Sequence, residues 1–494
     1  MKKTLYKSLL PYLMIAVALI SGCVKEEEPI IPEVIPEATE VNSFIWNGLS
    51  DYYLWNSQVA GLTNSKYAKK DSLNAFLNTY TDPQKLFTSL LYKYKEVDKW
   101  SFLVDDSKEI DDWISGISET AGYYIYPVGY GTSKNVLGLV LYVYKGSPAD
   151  KAGIRRGDII VKVNDQQITE SNYGTLLYNT LVSKLSFANI IDYTIVPNNR
   201  TVNVTAIEMQ ENPINKDTIF IFNNQKIGYL VYNGFNSDFD IQLNDVFKKF
   251  KVANIDRLIL DLRYNGGGSV QSSIYLASMI YGTDATKVYA KAKYNSGLQS
   301  YFVSEYGLAS LNDNFTTFID KTDKNPVTTI NTLNLNKIHI IVSDNTASAS
   351  EMLINGLRPY MNVTVVGINT NGKYTGSTTV RDWNERGTVN PNHKWAMQPI
   401  VVKYANSRDE SDYVNGLTPN IISEEDFANL LPFGDPNETL LSLVLSDIKG
   451  IPVTGMVLKS AKMGLRKVSD SRDFKPFANE MYINPDKFQN LKKQ

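Results

Sequence analysis

Four changes of rhythm divide the hydrophobic and polar positions of this chain. Leu9 to Ile20 is an unbroken apolar run behind Lys2, Lys3 and Lys7. It is too short to read as a membrane-spanning helix. From 41 to about 118 apolar residues recur at helical spacing: Phe44, Ile45, Leu49, Tyr52 and Tyr53, then Leu73, Phe76 and Leu77, then Leu86, Leu90 and Leu91. Asp82-Pro83 supplies a helix start. From about 119 to 208 the alphabet turns to strands, led by Leu137 to Tyr144. From 209 to about 450 buried-strand runs (Lys226–Tyr232, Leu258–Leu262, Lys337–Val342) alternate with helical stretches (Phe235–Phe250, Val270–Ile280), the signature of an α/β domain. Thr283 to Asn336 has no clean period and reads as an insertion shaping a cleft, Trp395 to Val402 reads as a strand, and 451–494 is basic and aperiodic.

With 494 residues and 43% hydrophobic content the chain has apolar material for several cores. A net charge of -2 without a basic stripe gives no footing for nucleic acid. Two histidines, His339 and His393, and one cysteine, Cys23, leave no residues for a disulfide framework and few for a metal site, so no metal or cofactor is expected. His339 sits inside an apolar strand and reads as a packed imidazole, while His393 follows the turn Asn390-Pro391-Asn392 and reads as exposed. A serine–histidine arrangement therefore has little support, and a serine–lysine one remains open.

Residues 1–22 have the form of a signal peptide, and Ile20-Ser21-Gly22-Cys23 resembles a bacterial lipobox. The resemblance implies lipidation at Cys23, a tether over 23–40 and a membrane partner through the lipid anchor. The expected location is the cell envelope, as an outer-membrane lipoprotein facing either the periplasm or the exterior.

Residues 146–165 read Gly-Ser-Pro-Ala-Asp-Lys-Ala-Gly-Ile-Arg-Arg-Gly-Asp-Ile-Ile-Val-Lys-Val-Asn-Asp. Strand, short helix, glycine turn, strand and hairpin in this order resemble a PDZ domain of the bacterial protease-associated kind, placed at 119–208. Such domains receive a peptide terminus as an added strand. Gly129 and Gly131 are the candidates for its carboxylate-binding turn, and an ordinary glycine turn is the alternative reading.

Two turns of the α/β domain carry candidate chemistry. The strand Leu258–Leu262 runs into Arg263-Tyr264-Asn265-Gly266-Gly267-Gly268, which can expose backbone N–H donors; no Walker lysine follows, which disfavours phosphate. The strand Lys337–Val342 breaks into Ser343-Asp344-Asn345-Thr346-Ala347-Ser348-Ala349-Ser350-Glu351 before a helical pattern. Thr346, Ser348 and Ser350 could each cap that helix, and side-chain chemistry alone does not choose a nucleophile among them. Lys373 follows on the next strand-end turn.

Together these segments resemble the carboxyl-terminal processing peptidases, or tail-specific proteases. Thr346 to Glu351 is similar to the family's nucleophile motif, in which the serine three before the glutamate attacks; that serine is Ser348. The family's lysine lies twenty-five positions later, at Lys373, within a turn similar to its FGKG turn. Asp261 to Gly268 is similar to its oxyanion loop, implying donors from Gly267 or Gly268 and from the Ala349 backbone. The implied architecture is multidomain: a helical N-terminal domain (41–118), the PDZ-like β-rich domain (119–208), and an α/β serine-peptidase domain (209–450) with the β-β-α spiral core shared by ClpP and crotonases, then a tail (451–494).

A lysine accepts the serine proton only when neutral, so its ordinary value of about 10.4 must fall by roughly two to three, on the order of 3–4 kcal/mol supplied by the fold. The family commonly places a glutamine or glutamate four residues beyond the lysine to orient it. Here Ser377 stands there, and Ser377 or Thr375 is expected to substitute. The expected function is an endopeptidase acting on a protein or peptide engaged by its carboxyl terminus. The alternatives are a non-catalytic peptide-binding lipoprotein, suggested by Ser377, and an acyl-CoA enzyme of crotonase type, which the PDZ-like segment argues against.

Overall fold

The protein is described from a computed structural model covering residues 35–322, 326–384, 387–452, 459–469, 474 and 477–488. Cys23, the leader 1–22 and most of the tether lie outside these residues.

The N-terminal helices form where the apolar spacing places them. Glu40–Tyr52 is capped by Thr39, and Pro83–Ser89 by Asp82, whose side chain accepts the Gln84 N–H. Phe44, Ile45, Leu49, Leu86 and Phe87 are buried between them and join the core of the large domain. At the end of this module Asp98 is fully buried, accepting Tyr53 OH at 2.7 Å and the N–H groups of Trp100 and Ser101. That clasp fixes Trp100 over the large domain, its ring centroid 5.3 Å from Lys373 Nζ.

The PDZ unit is built on a sheet of strands Tyr123–Tyr130, Val136–Val143, Ile159–Val163, Val182–Ile191 and Thr194–Thr205, with the helix Tyr173–Tyr178 alongside. Gly129 lies within the first strand, and Gly131 makes the open turn after it at φ +55°. Gly129 is paired with Val136 on one side and Arg466 on the other, so it lies in a ladder rather than in a turn.

The large domain holds two six-stranded sheets. The first runs Ile214–Phe222, Gln225–Tyr232, Arg257–Asp261, Lys337–Val342, Asn362–Gly367, Ile421–Ile422, parallel except for the outer hairpin. Its inner strands are buried on both faces, as their unbroken Val, Ile and Leu content requires. The second runs Gly268–Ser269, Met481–Ile483, Thr375–Thr378, Ile400–Asn406, Val288–Tyr294, Asn312–Asn314. Two expectations change here. The stretch 283–336 contributes the strand Val288–Tyr294 and the helix Ser296–Tyr306, so it is integral to the domain. The aperiodic tail supplies an inner strand of the second sheet.

His339 is buried in its strand with Nε2 2.8 Å from Asp447. The His393 side chain is only 8% exposed, with Nε2 3.2 Å from Asp382 and its ring tilted against Phe44 at 5.6 Å, contrary to the exposed turn expected.

Candidate active site

The nucleophile turn is stitched to the glycine loop by its own hydroxyls. Thr346 Oγ1 donates to the Leu262 carbonyl at 2.8 Å, Ser350 Oγ to the Asn265 carbonyl at 3.1 Å, and Ser343 Oγ to the Arg263 carbonyl. The Ala347 N–H adds a bond to Asn265 O at 3.1 Å. Ser348 differs from its neighbours: its buried hydroxyl makes no bond to the glycine loop and faces only the Glu351 N–H of its own helix, in a capping box. Its backbone sits at φ +65°, ψ -118°, outside the regions a non-glycine residue occupies without strain, at the entry to the helix Ala349–Leu357. A strained residue between strand and helix, with its hydroxyl not tied to the loop across from it, is how a nucleophile is held at a sheet edge.

The helix geometry also brings Glu351 back under the turn. Its carboxylate accepts the Ser348 N–H at 2.8 Å, the Gly372 N–H at 2.7 Å, the Lys373 N–H at 2.8 Å and the Thr370 hydroxyl at 2.5 Å. One buried side chain therefore fixes both the serine turn and the lysine turn. Burial raises its carboxyl to about 7, with these donors pulling the other way.

Gly267 and Gly268 adopt φ +111° and +129°. A Cβ on Gly267 would come 2.5 Å from Ser348 Cβ, so glycine is what allows the loop to pass directly against the nucleophile. The Gly267 N–H is engaged by Asn265 Oδ1 at 2.9 Å, which leaves Gly268 and Ala349 as the other donors the motif points to.

Lys373 is fully buried, with Nζ 5.3 Å from the Trp100 ring centroid. Burial pushes its amine below the ordinary lysine value of 10.5, opposed by the carboxylate of Glu480, which accepts from Nζ at 2.7 Å. Glu480 is itself buried and its carboxyl is raised for the same reason. Neither Ser377 nor Thr375 takes up the amine. Ser377 Oγ lies 3.2 Å from the Glu480 carboxylate and 3.1 Å from the Met481 carbonyl, with one proton to share between them, and accepts from Gln398 at 3.0 Å; the Thr375 hydroxyl has no partner. The lysine's partner thus comes from the tail, a residue that sequence reasoning missed. Met481-Tyr482-Ile483 is a short β-prone run that signals a strand, but nothing local says where it pairs.

A cleft of about 480 Å³ opens beside this site, lined by Tyr124, Tyr142 and Tyr144 of the PDZ sheet, by the glycine loop, and by Asn479, Glu480 and Tyr482. Among the described residues no cluster of His, Cys, Asp and Glu is arranged to hold a metal ion.

The family model for Peptidase family S41 matches residues 226–423, the span holding glycine loop, serine turn and lysine. Models for the S41 N-terminal domain and a PDZ domain match 40–102 and 139–183. Residues 226–423 are a domain of peptidase family S41. Among S41 relatives, the probable CtpA-like serine protease of Staphylococcus aureus is 26% identical over 340 residues, covering 66% of this chain and 61% of that protein. The carboxy-terminal processing protease CtpA of Bacillus subtilis is 24% identical, covering 68% and 63%. This chain therefore spans a little under two thirds of the length of these curated relatives. The crystal structure of an S41 protease from Bacteroides fragilis shares the fold, with a TM-score of 0.64 at 23% identity over 85% of this chain and 100% of that one.

Proposed function

We propose that this chain is a serine endopeptidase in which Ser348 attacks the peptide carbonyl, Lys373 takes its proton, and main-chain N–H groups of Gly268 and Ala349 receive the oxyanion. The observation that carries this reading is selective. Of the turn's hydroxyls, Thr346, Ser350 and Ser343 are bonded to the glycine loop, and Ser348 alone makes no bond to it, strained and pressed against Gly267. The Lys373 amine is held in a dry pocket that disfavours its charged form, as a general base requires. The PDZ sheet opening into the same cleft supports an extended peptide substrate presented through its carboxyl terminus.

Ser348→Ala is expected to abolish hydrolysis of an unfolded protein such as casein while leaving the thermal transition within a few degrees of the native chain. Cleavage at the native rate by this variant would overturn the assignment. We also infer that the protein is lipidated at Cys23 and held at a membrane of the cell envelope. Labelled palmitate should enter the native chain in cells and not Cys23→Ala.

A further inference from the structure

The tail occupies both places where a substrate peptide is expected. Leu465–Lys467 adds antiparallel to the PDZ edge strand, pairing Leu465 with Tyr130, Arg466 with Gly129 and Lys467 with Val128, and the Val468 N–H continues onto Pro127 O. Phe474 stacks on Tyr178 of the PDZ helix at 4.3 Å between ring centroids, with its ring edge-on to Tyr173 at 5.7 Å. A strand added at the edge with an aromatic against the flanking helix is how such a groove receives a peptide. Farther along, Met481–Ile483 lies between the glycine loop and the lysine strand, parallel to both. Met481 and Tyr482 register with Gly268 and Ser269 on one side, and Tyr482 and Ile483 with Ser377 and Thr378 on the other.

At the centre of this second seat the tail meets each catalytic group. The Glu480 carbonyl and Ser348 Oγ would each lie 3.0 Å from a Cβ on Gly267, so the tail backbone and the nucleophile face one small space over the glycine. The Glu480 carboxylate takes the Lys373 amine at 2.7 Å, and the serine hydroxyl makes no bond to either group. Lys467 Nζ reaches Asp344 of the nucleophile turn at 2.9 Å. The hydrogen bond that the amine makes here is to the tail carboxylate and not to the serine.

Resting on the peptidase reading above, we propose that the C-terminal segment is an intramolecular peptide ligand, seated in the PDZ groove and in the catalytic cleft, and that a substrate chain must displace it for turnover. The ligand class follows from the occupant: an extended peptide with a carboxylate side chain facing Lys373, followed by apolar residues matching Met481, Tyr482 and Ile483.

Two measurements on the full chain test this. In the Ser348→Ala background, a labelled peptide of sequence Phe477 to Phe488 is titrated against chains with and without Met481→Asp plus Ile483→Asp, which weaken the resident strand. At least ten-fold tighter binding to the weakened chain is expected; equal binding would overturn the proposal. With Ser348 intact, the weakened chain should hydrolyse casein with kcat/KM at least ten-fold above the native chain, and added peptide should reverse the gain. Glu480→Gln, a change of one heavy atom, covers the case in which the double variant does not fold. Its rate should rise and its pH profile should shift to lower pH as the lysine loses its anionic partner. A fall in rate would instead make Glu480 a positioning residue and overturn the proposal. Should no chain hydrolyse casein while the binding difference stands, the peptidase reading falls and the internal ligand remains.

Discussion

Glu351 and Lys373 set opposing demands on pH. As the proposed base, Lys373 must lose a proton to act, and burial favours that loss below the ordinary lysine value of 10.5. Glu351 must be ionised to accept its three backbone donors fully, and its carboxyl stands at about 7. Both steps favour activity as pH rises, so log kcat/KM should climb with a slope above one near neutrality before it levels. Stability runs the other way. A carboxyl raised on folding contributes stability that is full below its unfolded value near 4.5 and is lost as pH rises through 7. Glu351→Gln keeps the size but removes an acceptor; turns displaced by even 1 Å commonly lose about a hundred-fold in rate, and that loss is expected in kcat. Lys373→Arg, permanently charged, should be inactive at every pH. The serine and lysine turns were legible as candidates because motif and spacing lie on one segment of chain. Glu480 was not, because it reaches the lysine from 107 positions away on a segment without periodicity.

The glycine loop shows what an element contributes beyond its side chains. Gly267→Ala would place a methyl against Ser348 at a φ of +111°, and Gly268→Ala would drive one to 2.2 Å from the Phe235 carbonyl at +129°. Each should cost about 1–3 kcal/mol in backbone strain alone. Each should also remove most casein hydrolysis, since a displaced oxyanion donor is worth about 3–4 kcal/mol of barrier. Thermal melts beside rate measurements separate the two effects. At this scale the sequence is a good guide wherever an element is buried on one consistent side. Val270–Ile280 and Lys337–Val342 have the ends their apolar runs mark. It fails where burial is irregular. Val288–Tyr294 carries Lys291 and Lys293 within an inner strand, and the run from Trp395 divides at Pro399 into Ala396–Gln398 and Ile400–Asn406.

Across the whole molecule, the PDZ unit and the catalytic domain share one buried charge cluster. Arg156, from the PDZ glycine turn, pairs with Glu425 and donates to Tyr264 OH at 3.0 Å and to the carbonyls of Leu141 and Leu431. Arg263, 1% exposed, bridges Asp261 at 2.8 Å, Glu425 at 2.7 Å and Glu438 at 2.7 Å. Tyr264 belongs to the glycine loop, so the seam between domains touches the oxyanion element itself. Arg156→Ala should destabilise by about 3–5 kcal/mol, because it leaves Glu425 buried without one of its cations. A lowered thermal midpoint together with reduced casein turnover would mark that link. The domain order was readable from the motifs, but this seam was not, since its arginines and glutamates look like ordinary surface charge until the fold covers them. Its dryness has a practical result. Sodium chloride screens charges that water reaches and leaves this seam intact, whereas acid does not spare it. The guanidinium of Arg263 holds the Glu438 carboxyl down at about 2 despite burial, so the stability it contributes is whole above the unfolded value near 4.5 and drains away as pH falls toward 2. In brine the two halves should move as one body; in strong acid they should come apart.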